Sequence, residues 1–95
     1  MQRYIVSYDI SDDRRRMSVY KTLLGFGERM QYSVFRCDMN AVRKSELKLL
    51  LAQLIHHEED QILLVDLGPC EGRGATCIEA LGLPYRPPSR AAVIV

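Results

Sequence analysis

The stretch YIVSYDISDD, residues 4–13, decides the architecture. Aromatic and β-branched residues dominate Arg3 to Ile10, the composition of a strand. Side chains alternate along a strand, so Tyr4, Val6, Tyr8 and Ile10 share one face and Ile5, Ser7 and Asp9 the other. Ser11-Asp12-Asp13 follows at once, and carboxylates suit the positive end of a helix. A strand therefore runs directly into a helix, with the carboxylate of Asp9 at the junction.

Outward from that junction, Met17, Tyr20, Leu23 and Leu24 form the apolar stripe of an amphipathic helix. Gly25 and Gly27 are expected to stop it in the left-handed conformation that glycine adopts at helix ends. Gln31 to Cys37 reads as a second strand, and Asn40 as the N-cap of a second helix whose stripe is Leu47, Leu50, Leu51 and Leu54. Ile62 to Leu67 is apolar but for Asp66, the pattern of a strand covered on both faces. Beyond Gly68, GPCEGRGA is a loop, and Thr76 to Leu81 is periodic both as a short helix and as a strand. LPYRPPSR is a proline-rich connector that cannot sit inside a sheet, and Ala91 to Val95 is a terminal strand.

With Thr76 to Leu81 as the fourth strand, this is an α+β chain in the ferredoxin-like order β-α-β-β-α-β, a single domain over residues 1–95 with an extra C-terminal strand. Both helices then lie on one side of the sheet. The apolar run 62–67, together with Ile5 and Phe35, would face outward on the other, and an exposed patch of that kind marks an interface. The expectation is a homodimer joined sheet face to sheet face, each terminal strand extending the neighbour's sheet.

Charge is unevenly spread. Residues 1–48 carry ten Lys/Arg against six Asp/Glu, and residues 49–95 three against six, within a net charge of only +1. A basic face on a nearly neutral molecule is one consequence, a solvated charged surface the other. Three cysteines with no C-x-x-C pair argue against a disulfide framework or zinc site, and point to a reducing, cytoplasmic setting. No stretch has the length and apolarity of a membrane span or a leader peptide.

Asp9 has two readings. It is a solvated acid at a strand end, or, if its face is the dimer interface, half of a metal site completed by the second copy. Magnesium (Mg2+) takes six hard oxygens, and two carboxylates with water and phosphate suffice for metal-assisted phosphodiester hydrolysis. Arg14, Arg15 and Arg16 open the helix beside it, where the dipole disfavours cations. Bound phosphate would explain them, as would ion pairs with Asp12 and Asp13 or simple solvation; at most two can face one ligand. His56-His57-Glu58-Glu59-Asp60 lacks metal-ligand spacing and reads as a solvated turn. Gly68 to Gly74 lacks the lysine of a phosphate loop, and Phe35 is either a core residue or a stacking platform for a base.

The strand end Tyr8-Asp9-Ile10, the following Ser11-Asp12-Asp13 with its arginines, and above all QYSVF at 31–35 resemble CRISPR-associated protein 2, a small subunit of the spacer-acquisition machinery. The resemblance implies a ferredoxin-like homodimer and a magnesium-dependent endonuclease acting on single-stranded RNA or double-stranded DNA. It assigns Asp9 as metal ligand and catalytic acid, with Arg16, Arg29 and Phe35 near it. It also implies a second role, a DNA-binding adaptor that bridges integrase subunits without cleaving. Arg36 departs from the acidic residue common after QYSVF, and 67–90 does not align. A small-molecule regulatory domain is a third possibility, for which the sequence offers no pocket motif.

Overall fold

The computed structural model describes residues 1–85. The opening stretch as far as Asp9 belongs to β1, the eight-residue strand Gln2–Asp9. After it come α1 (Asp13–Leu24), β2 (Glu28–Gln31), β3 (Val34–Met39), α2 (Ala41–Leu54), β4 (Gln61–Pro69) and a single 3-10 turn at Arg73–Ala75. The sheet order is β2-β3-β1-β4 with every pairing antiparallel, the ferredoxin-like arrangement.

Two strands differ from the sequence reading. The segment read as one strand from Gln31 to Cys37 spans the turn of a hairpin and the first part of its second strand. Gln31 ends β2, Tyr32 and Ser33 turn, and Val34 begins β3. Propensity could not show this, because the turn carries none of the glycine or asparagine that usually marks one. With both arms of this hairpin counted the fourth strand is β4, which gives the order β-α-β-β-α-β that one strand over 31–37 does not, and Thr76 to Leu81 is irregular. β1 already has β3 on one side and β4 on the other, so it has no free edge to offer a further strand. The expected strand at 91–95 lies outside the described residues.

Alternation along β1 is as expected: Tyr4, Val6 and Tyr8 are buried beneath the helices, and Asp9 is exposed. Pairing carries that alternation across the sheet. Val6 lies opposite Phe35, Tyr4 opposite Cys37 and Gln2 opposite Met39. Phe35 is therefore fully buried on the helix side, not on the open face where the sequence reading put it. Val19 and Leu23 of α1 and Leu47 and Leu51 of α2 close the core, whereas Met17, Leu24 and Leu50, assigned to the stripes, are exposed.

The caps show how the helices begin. Asp12 Oδ2 accepts from the Arg15 amide at 2.9 Å, and Asn40 Oδ1 from the Arg43 amide at 2.8 Å, each occupying a donor that no helical carbonyl reaches. At the end of α1, Gly25 has φ −79°, so the expected left-handed stop is absent. Gly27 is needed for room instead. A Cβ there would collide with the Arg36 carbonyl oxygen and lie 2.6 Å from Cys37 Sγ, where the chain enters β2 alongside β3.

On β4, Ile62 and Leu64 pack against the core, while Leu63 and Val65 lie open at 51% and 47% exposure. The strand is thus covered on one face and apolar on both. It is also the sheet's outer strand, its far edge unpaired by any described strand.

Candidate active site and nucleic-acid surface

Asp9 ends β1 opposite Gln61 of the outer strand, exposed, its side chain on the face without helices. Ile5, Leu63 and Val65 share that face. Among the described residues no group of three or more His, Cys, Asp or Glu is placed to hold a metal ion. One protomer, with a single carboxylate, does not fit a magnesium site by itself.

The three arginines of α1 have separate fates. Arg14 is exposed on the first turn. Arg15 is engaged by the α2–β4 connection. Its Nε donates to Asp60 Oδ2 at 2.7 Å, and its Nη2 donates to Asp60 Oδ1 at 3.2 Å and Glu59 Oε1 at 3.1 Å. Arg16 Nη1 donates to the Ile10 and Ser11 carbonyls at 3.1 and 3.2 Å, and Nη2 to Asp13. Pairing with Asp12 and Asp13 thus accounts for part of Arg16 alone; Arg15 is paired too, but with Asp60 and Glu59.

Asp60 was read as part of a solvated turn and is instead fully buried at its side chain. It accepts from the His56 amide at 2.8 Å as well as from Arg15. The Arg15 hydrogen bonds, with the His56 amide, hold its carboxyl below the usual carboxylate range. Nothing in HHEED distinguishes this acid from its neighbours, since its partner stands 45 positions away.

Arg29 on β2 pairs opposite Phe35 and so projects on the helix side. Its guanidinium lies 5.7 Å from the Tyr32 ring centroid and 6.0 Å from that of Tyr20. Together with Tyr8, Arg16 and Asp13 these residues line an open cleft of about 430 Å³. Burial pushes the Tyr8 hydroxyl up, and Arg29 opposes it. Sequence reasoning matched Arg16 and Arg29 to one site, and the cleft does unite them. Asp9 is not part of its lining, and Phe35 forms its floor only indirectly, packed edge-on beneath Tyr20 at 5.7 Å between centroids. The three tyrosines, at 8, 20 and 32, come from a strand, a helix and a turn, and no spacing rule links them.

On the open face, Arg36 is 5% exposed and donates to the Tyr85 hydroxyl, so the chain beyond the 3-10 turn folds back over β3. At the far end of the sheet Arg3 grips Asp38 through two bonds of 2.8 and 3.0 Å and reaches the Gly74 carbonyl at 2.9 Å.

The profile of the family described as CRISPR associated protein Cas2 matches residues 1–71. The chain belongs to the Cas2 family. The CRISPR-associated endoribonuclease Cas2 of Geobacter sulfurreducens is 39% identical over 92 residues, covering 97% of this chain and 96% of that protein. Two solved structures carry the same fold. The hypothetical protein TT1823 of Thermus thermophilus superposes with a TM-score of 0.78 at 29% identity, covering 92% of this chain and 98% of that one. A chain of a partial Cas6-RT-Cas1–Cas2 complex does so with a TM-score of 0.65 at 28% identity, covering 74% and 82%. Strand order, helix placement and the Asp9 junction are thus seen in a Cas2 chain whose QYSVF motif forms a hairpin. Among the described residues no helix is long and apolar enough to cross a membrane.

Proposed function

We propose that this Cas2 chain is a magnesium-dependent endonuclease of the cytoplasm that works as a face-to-face homodimer, with Asp9 as its catalytic carboxylate. The observation that carries this reading is the exposed Asp9 carboxylate on the same sheet face as the uncovered side chains of Leu63 and Val65. Covering those side chains with a second copy would remove apolar surface from water, at about 25 cal/mol per Å2. The same contact would bring a second Asp9 to the face, and two carboxylates with water and phosphate suffice for a magnesium site. A magnesium ion bound there would neutralise charge building on the phosphodiester. Asp9 would hold that site, and the exposed Arg14 and the Arg16–Arg29 pair would hold the strand by its phosphates. The word endoribonuclease in the name of the Geobacter sulfurreducens relative supports RNA as a substrate.

The test is magnesium-dependent cleavage of labelled single-stranded RNA and duplex DNA by the wild type and Asp9→Asn. Loss of cleavage with dimerisation and binding intact supports the proposal. Equal cleavage by both proteins, or by neither, removes the nuclease.

A second reading, a DNA-holding adaptor docked on a CRISPR-associated integrase subunit, is favoured by the likeness to a chain of a Cas1–Cas2 complex. It requires the basic surface but not the charge of Asp9.

A further inference from the structure

We infer that the cleft formed by Tyr8, Tyr20, Tyr32, Arg16 and Arg29 is a subsite for one unpaired nucleotide, its base stacked on Tyr32 and its phosphodiester held by Arg29. This deepens the nucleic-acid reading and rests on it. The cleft's volume of about 430 Å³ is within the usual range of ligand pockets, and its lining is three tyrosines, three charged side chains and Met17. Tyr32 is 71% exposed, a large ring left open to water at the lip. Exposed aromatics beside cations are how single strands are bound, because every base offers a π-face.

The charges select the anion. Arg16 is already occupied by two carbonyls and by Asp13, whereas Arg29 makes one long hydrogen bond, 3.4 Å to the Gln31 carbonyl, and otherwise lies against rings. Two guanidiniums against the Asp13 carboxylate leave a surplus of one positive charge at the cleft, matching the single negative charge of a phosphodiester. A base can reach Tyr32 only when it is out of a duplex, so the subsite distinguishes single strands from double.

The experiment is equilibrium binding, in chelator, of fluorescently labelled single-stranded RNA, single-stranded DNA and the matching duplex to the wild type, Tyr32→Ala and Tyr32→Phe. Tyr32 is surface-exposed, so all three proteins fold alike. Tyr32→Ala should weaken single-strand binding roughly tenfold and leave duplex binding within about twofold, with Tyr32→Phe close to the wild type. Equal losses on RNA and DNA identify the base as the bound group, and a larger loss on RNA adds a ribose contact. Unchanged single-strand binding, an equal loss on the duplex, or a wild type that binds no single strand overturns the subsite. The nuclease is judged separately. Cleavage that ignores Asp9 while the Tyr32 effect persists removes the nuclease and keeps the subsite; Asp9-dependent cleavage without a Tyr32 effect does the reverse.

Discussion

Arg15 and Asp60, 45 positions apart, form a two-pronged ion pair that ties the first turn of α1 to the entry of β4. The Asp60 side chain has no exposed surface, and the same carboxylate also closes the turn after α2 through the His56 amide. A pair so placed is structural: it sets where the helix carrying Arg14 and Arg16 starts relative to the sheet.

Asp60→Asn should therefore lower the thermal midpoint more than Glu58→Gln, an exposed neighbour in the same turn. Asp60 also makes the wild type acid-sensitive. Its folded pKa is depressed, so the unfolded chain takes up the proton first as pH falls. The stabilisation is present above the unfolded value, about 4, and drains away below it. Urea titrations across this range should show a shallower acid loss in Asp60→Asn. Identical slopes would mean that Asp60 contributes nothing to the linkage. Asp38, depressed by its hydrogen bonds from Arg3, adds a loss of the same sign.

Gly27→Ala should destabilise the chain by about 1–3 kcal/mol, because the new methyl meets the backbone of Arg36 in the middle of β3, which cannot move without disturbing the sheet. Gly25→Ala is the control: its Cβ would sit at 3.4 Å from the nearest atom, on a right-handed backbone. Chemical unfolding of both variants separates crowding from any loss of chain flexibility.

Phe35→Ala should cost about 3–5 kcal/mol of stability, the range for a fully buried phenylalanine. The milder Phe35→Leu should keep the fold and bind single-stranded nucleic acid with an affinity close to that of the wild type. A selective loss of affinity in a fully folded Phe35→Leu would return the ring to the binding surface.

Leu63→Glu places a charge among Ile5, Val65 and Asp9 on the open face, with no core contact to lose. It should convert a dimer into a folded monomer in sedimentation and abolish any cleavage that depends on paired Asp9. A variant that stays dimeric would mean that the copies meet elsewhere.

Thiol labelling offers a quick check of the core. Burial pushes the Cys37 thiol up to about 11, with Asp38 adding to the effect, so little thiolate exists at neutral pH. Iodoacetamide should modify exposed Cys77 first and reach Cys37 only on unfolding. Rapid modification of Cys37 in the native protein would contradict the packing.

How much of this was legible beforehand follows from the range of the forces involved. Local alternation and capping chemistry, in Tyr4–Asp9, Asp12 and Asn40, specified β1 and both helix starts, and with the apolar run at 62–67 they determined the fold class. The QYSVF motif carried the family. The hairpin at Tyr32-Ser33 was not legible, because a turn without glycine is imposed by the pairing of β2 and β3 and not by local preference. The inward placement of Phe35 likewise follows from its register opposite Val6, and register is a relation between strands. Tertiary structure alone decided which arginine does what. A guanidinium is a long, adaptable donor, and its partner is whichever carboxylate, carbonyl or ring the folded chain brings within reach. For Arg15 that was Asp60, 45 positions away; for Arg16 it was the nearby Ile10 and Ser11 carbonyls with Asp13, and for Arg29 Tyr20 and Tyr32, a choice that local spacing does not make.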